Sequence, residues 1–154
     1  MGIQALEIQC IGIETGKFHI DHTGRGQNLS PELILKNLSP NAQTLAVILE
    51  DMSHPIKCFT HWVIWNIPAG DRIPGAIPVG KTVPALDGAV QGVAYGLHRY
   101  AGPKPPRGTQ HKYRFTVFAL DCRLDLSSSA RKKTFLKKVE GHILQCGSIF
   151  GEFE

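Results

Sequence analysis

Apolar residues fall in short runs along this chain, and the period of each run names the element it predicts. From Thr44 to Asp51 the sequence TLAVILED is aliphatic and β-branched, with polar residues kept to its ends, which predicts a strand. Leu45, Val47, Leu49 and Asp51 share one face of it, so a carboxylate closes an apolar face where the chain leaves the sheet. HWVIWN, residues 61–66, is apolar on both faces and predicts a central strand, with Val63 and Trp65 beside His61 and with Trp62 and Ile64 opposite. Paired as an antiparallel hairpin, these two strands bring Asp51 and His61 to one edge of the sheet. A third run starts at His111, where His111, Tyr113, Phe115, Val117 and Ala119 alternate with Lys112, Arg114, Thr116 and Phe118. Two polar rings thus begin an otherwise apolar face, and its partner strand is left open by the pattern.

Weaker runs predict shorter strands at the opening residues, where Ile8 and Cys10 oppose Glu7 and Gln9, at ELILK (32–36) and at GSIFGEF (147–153). One helix is predicted in ARKKTFLKKVEGHIL, capped from Ser127–Ser129 and packed by Phe135, Leu136, Val139 and Ile143. Arg131, Lys133, Lys137 and Lys138 fall mainly on its solvated side, while Lys132 lies in the apolar sector and is expected to snorkel. Asn28 and Ser30, ahead of Pro31, are expected to bond their own backbone in a loop. Residues 67–92 hold too many prolines and glycines for long elements; a stretch of that length is expected to fold as short extended pieces toward a site or interface. Residues 100–108, YAGPKPPRG, are stiffened by Pro103, Pro105 and Pro106 and turned by Gly102 and Gly108, so they present one preset backbone surface that runs into the His111 strand.

Composition sharpens this picture. A chain of 154 residues, 42% hydrophobic and 19% charged, predicts one globular domain over 1–154, and 16 glycines and ten prolines without a period favour short strands over long helices. The net charge of +4 is modest and the cations do not interleave with aromatics, so nucleic acid is not signalled whereas an anionic ligand fits. Cys10, Cys58, Cys122 and Cys146 are far apart without a C-x-x-C, and the start of the chain lacks a secretory pattern, which reads as reduced thiols in a cytoplasmic protein. No apolar run approaches the roughly 18 residues that span a bilayer.

Hydrolase motifs with a nucleophile elbow, an H-E-x-x-H pair or a phosphate loop are absent from the sequence. Asp51 with His61 or His111 could serve as base and orienter, or with both histidines as zinc ligands, but the spacing is not diagnostic and Cys58 reads as a bystander. An anion-binding protein, a small His/Asp hydrolase and a dimeric interaction scaffold all stay open on these grounds.

A resemblance narrows the choice. Asp51-x-x-x-Pro55, His61-Trp62 and Asn66-Ile67-Pro68, then Tyr100-x-Gly102-Pro103-x-Pro105-Pro106-x-Gly108-x-x-His111-x-Tyr113, resemble the two signature regions of the phosphatidylethanolamine-binding protein family, above all its bacterial and archaeal, Raf kinase inhibitor-like branch. Asn28-Leu29-Ser30-Pro31 matches the family's SP segment, and Gly141-His142-Ile143-Leu144 resembles its carboxy-terminal helix. The resemblance implies a mainly β fold, a Greek-key antiparallel sandwich with short peripheral helices including one near the C-terminus. It implies a cavity lined by Asp51, His61, His111 and Tyr113, with the Lys104 backbone N–H beside Pro105 and Pro106 holding a phosphate-type group. The function implied is non-enzymatic binding of such an anion, as in a phospholipid headgroup, with a kinase or protease as a modulated partner. No cofactor is expected, and a homodimer is a separate expectation. Where the family usually has Asp-Pro-Asp-x-Pro, this chain has Asp51-Met52-Ser53-His54-Pro55, so the cavity loses a carboxylate and gains a titratable ring. That change favours an anion.

Overall fold

All eight residues of the strand Thr44–Asp51 are buried, as its two-sided apolar pattern requires. The computed structural model describes residues 2–154. Its strands are β1 (Gln4–Ala5), β2 (Ile8–Cys10), β3 (Ile13–Glu14), β4 (Lys17–Phe18), β5 (Leu33–Leu35), β6 (Thr44–Asp51), β7 (Phe59–Pro68), β8 (Arg72–Ile73), β9 (Thr82–Val83), β10 (Ala89–Gln91), β11 (His111–Leu120) and β12 (Ile143–Phe153), with helix α1 at Lys132–Lys138. The class is mainly β with a helix near the C-terminus. A nine-stranded sheet has the order β3-β4-β12-β11-β6-β7-β10-β9, with β1 alongside β12, and a three-stranded sheet has the order β2-β5-β8.

The small sheet covers one face of β6 and β11, where Leu33, Leu35 and Ile73 pack with Leu45, Val47, Leu49, Phe115 and Val117. The other face, bearing Ala46, Ile48, Val63, Trp65 and Phe118, is covered by Phe135 and Val139, with the Trp65 and Phe135 rings stacked at 5.8 Å. The third strand is thereby placed: β6 is antiparallel to both β7 and β11, with Tyr113 directly opposite Asp51.

Strict alternation fails twice along β7, once between the Leu45–Ile67 and Val47–Ile64 pairs and once at the place that matters. The alternating pattern set His61 on the face of Val63 and Trp65, but β7 shifts register between the Leu49–Trp62 and Glu50–Thr60 pairs. His61 is the extra residue of this bulge, and it joins Trp62 on the Asp51 side instead of facing α1. Re-aiming one side chain next to a site is what a bulge can do and an unbroken strand cannot.

The helix is shorter than expected. It has Arg131 as N-cap, with no side-chain cap from the serines, and ends at Lys138. Gly141, at φ 80°, turns the chain, and Ile143 and Leu144 open β12 where a helix was expected, because Leu120 pairs with Ile143. Leu136 is 40% exposed and outside the core. Residues 67–92 form short extended pieces, β8 to β10, as their punctuation predicts. No helix among the described residues is long and apolar enough to cross a membrane.

Candidate functional site

The end of β6, the bulge of β7 and the start of β11 meet at one edge of the sheet. Asp51 and His61, 2% and 3% exposed, are buried there. Asp51 Oδ2 accepts a hydrogen bond from His111 Nδ1 at 2.7 Å, and Oδ1 accepts one from the Ser53 N–H at 2.9 Å. Ser53 stands where the family's second carboxylate usually lies; its hydroxyl accepts from the Lys112 N–H and ties the turn after β6 to β11.

His61 Nδ1 lies 2.8 Å from the Ala101 carbonyl, which can only accept, so Nδ1 carries the proton and Nε2 keeps its lone pair in the neutral ring. By the same reasoning His111 gives its Nδ1 proton to Asp51 and holds Nε2 for another partner. His61 Nε2 is 4.0 Å from Asp51 Oδ2, beyond hydrogen-bond reach, and 3.5 Å from the Tyr95 hydroxyl. Burial lowers the His61 pKa, outweighing the opposing pull of the Ala101 carbonyl and Asp51, so the ring is neutral at pH 7.

Tyr113 completes the cluster. Its ring meets His61 edge-on at 5.3 Å, and its hydroxyl is buried without a hydrogen-bond partner among the described residues. Burial, then the Asp51 charge, push the phenol far above its ordinary value, so it is a neutral donor; the Lys104 backbone N–H acts in the opposite sense. An orphaned buried hydroxyl costs about 1–3 kcal/mol in the absence of a partner. It is the kind of cost a binding site carries.

The proline loop is held from behind by the segment before Pro31. Gly24 N–H donates to the Pro103 carbonyl at 2.8 Å, Arg25 Nη2 to that of Pro105 at 2.6 Å, and the Tyr100 hydroxyl to that of His22 at 2.6 Å. Asn28 Oδ1 accepts from the Gly102 N–H at 2.7 Å, and a Cβ at Gly102 would sit 2.4 Å from the His22 carbonyl, so only glycine fits. Asn28 and Ser30 therefore bond distant backbone, Gly102 and Ile77, and not their own as the local pattern implied. A cleft of about 390 Å³ opens beside His61 between Gly24, Asn28, Tyr95, Arg99, Gly102 and Lys104. Two of its lining residues touch His61 directly, the Ala101 carbonyl by accepting from Nδ1 and the Tyr95 ring edge-on at 4.9 Å.

Of the residues singled out by sequence, Asp51, His61, His111 and Tyr113 converge. Lys104 stands at the cleft with its side chain against Gly24, and Pro105 is buried with its carbonyl on Arg25. Pro106 is exposed, and its carbonyl closes the next turn by accepting from Thr109. Sequence reasoning missed Tyr95, Phe59, Arg25 and Asn28 as members of the site. Phe59 and Tyr95 wall His61 edge-on, with His54 stacked on Phe59 at 4.3 Å. Nothing periodic marks Tyr95, which sits at φ 53° in a tight turn; Asn28 lay inside a matched segment and was read as local.

The profile of the phosphatidylethanolamine-binding protein family matches residues 12–154. A UPF0098 protein of Pyrococcus horikoshii is 39% identical over 86% of this chain and 68% of its own length. A UPF0098 protein of Methanothermobacter thermautotrophicus is 38% identical over 90% of this chain and 91% of its own. The crystal structure of Escherichia coli YbcL, described as a member of the mammalian PEBP family, superposes with a TM-score of 0.82 at 25% identity, covering 97% of this chain and 98% of that one. With the match running over nearly the whole chain and relatives in both archaea and bacteria, this protein belongs to the bacterial and archaeal branch of the phosphatidylethanolamine-binding protein family.

Proposed function

We propose that this binding protein takes a phosphate-type anion among His61, His111 and Tyr113, without turning it over. One observation carries the reading: around a buried carboxylate, two imidazoles each commit Nδ1 to a fixed acceptor and keep Nε2, while a buried hydroxyl has no partner. Each Nε2 becomes a donor only by gaining a proton, so an anion and two protons are favoured together. Asp51 repels the anion but supports the imidazolium beside it, which limits the charge left buried without ligand. The rings' hydrogen bonds run to Ala101, Asp51 and Tyr95, none an activated nucleophile, and this supports binding over hydrolysis.

A lipid headgroup and a free phosphorylated molecule share this chemistry. A kinase or protease as partner, a homodimer and a cytoplasmic setting belong to the same proposal. The cationic cleft rim of Arg99 and Lys104 suits an acidic partner segment, and four free thiols suit a reducing compartment. The test is sulfate affinity by calorimetry at fixed ionic strength, because sulfate stays dianionic where phosphomonoesters titrate near ~6. Affinity should rise from pH 8 to 5.5, and His61→Ala with His111→Ala should lower it more than about a hundredfold, two charge-assisted hydrogen bonds being lost. A flat profile or an unaffected double variant overturns the reading, as does turnover across an ester and phosphate panel abolished by Asp51→Ala.

A further inference from the structure

At the opposite end of β11 from His111, the chain leaves the strand through Asp121 and Cys122. The Asp121 N–H donates to the His142 carbonyl at 3.0 Å, so the β11–β12 pairing holds His142 directly across. The Cys122 carbonyl accepts from Thr44 Oγ1 at 2.7 Å, which fixes the backbone from the β6 side as well. His142 Nδ1 lies 2.9 Å from Asp121 Oδ1, and one ligand atom from each of Asp121, Cys122 and His142 falls within 4.8 Å of the others.

We propose that Asp121, Cys122 and His142 form a binding site for a borderline-soft divalent cation, Zn²⁺ being the ion that fits best. Carboxylate, thiolate and imidazole are the donors zinc takes, at about 2.0–2.3 Å, so neighbouring ligand atoms in a tetrahedral site stand roughly 3.3–3.7 Å apart. The Asp121–His142 spacing must open by a few tenths of an ångström, and the widest spacing must close by about one. Half-exposed side chains on a fixed backbone make such adjustments by rotamer; Asp121 and His142 are 43% and 47% exposed. The carboxylate and thiolate bring two negative charges to a dication, and three protein ligands leave the fourth position to water. Sulfur and nitrogen donors select against Ca²⁺ and Mg²⁺, which require oxygen. Lys138, the cation facing Cys122, is long and exposed enough to swing aside.

Bound metal would clamp both ends of the excursion that carries α1, and so pin the helix to the sheet. The site stands ten strand residues, roughly 30 Å, from His111, so its test is independent of the anion pocket. Tag-free, reduced and metal-free protein titrated with Co²⁺ should take one ion per chain with a thiolate-to-metal charge-transfer band. Zn²⁺ should displace the cobalt and raise the melting temperature. Cys122→Ser should abolish the band, His142→Gln should weaken Zn²⁺ binding at least about tenfold, and Cys58→Ser should change neither. A missing band, a band that survives Cys122→Ser, or a millimolar Zn²⁺ dissociation constant overturns the site. Should Cys122→Ser fail to fold, unchanged Zn²⁺ affinity in His142→Gln overturns it equally.

Discussion

Glu50 and Asp51 are neighbours at the end of one strand, both buried, and point to opposite faces of the sheet. Glu50 is saturated: Arg114 Nη2 donates to one oxygen and Lys132 Nζ to the other, each at 2.7 Å. Lys132, expected to snorkel, instead reaches inward and also donates to the Cys58 carbonyl at 2.6 Å. Asp51 has a titratable ring as its partner, a second ring just out of reach and an unpartnered phenol nearby. The lesson is one of spare valence. A carboxylate locked between permanent cations holds structure, whereas one whose partners can gain protons leaves room for a ligand.

Removing one acid should break the comparison most sharply. Glu50→Ala leaves two cations facing a half-buried site and should cost about 3 kcal/mol in urea unfolding while sulfate binding survives, because breaking a buried pair strands its partners. Loss of sulfate binding in a folded Glu50→Ala protein would show that the two faces are not separate. Tyr113→Phe should act in reverse. Taking away an orphaned hydroxyl should leave stability unchanged or raise it by up to about 1 kcal/mol, while sulfate affinity falls about tenfold.

The smallest effect is on stability against pH without ligand. Burial holds the His61 pKa below its unfolded value of about 6.5, so the unfolded chain binds more protons once pH falls below that value. Stability contributed by the neutral ring is thus complete above about pH 6.5 and is lost as pH falls toward the folded pKa. His61→Gln should flatten that limb of a melting-temperature profile, and saturating sulfate, which favours the protonated ring, should weaken it.

Legibility in the sequence followed the physics of each element. β6 and β11 were readable because their patterns are long and their faces chemically distinct. The edge shared by Asp51 and His61 followed from hairpin pairing alone, but the face of His61 did not. A bulge adds one residue without any residue type that announces it, and it reversed the parity on which that face was read. Helix α1 was overextended because Ile143 fits the helical stripe as well as a strand, and the pairing with Leu120 decided the matter. Tyr95, Arg25 and Asn28 were illegible for a third reason: they reach the site across the fold, from turns without period.

The central claim is that anion and protons arrive together at the Asp51 cluster. Its most direct test is the heat of sulfate binding at pH 7 in two buffers of equal ionic strength and different ionisation enthalpy. Net proton uptake, abolished in His61→Ala with His111→Ala, is the predicted result, and sulfate binding with no uptake, or with uptake unchanged in the double variant, would contradict it.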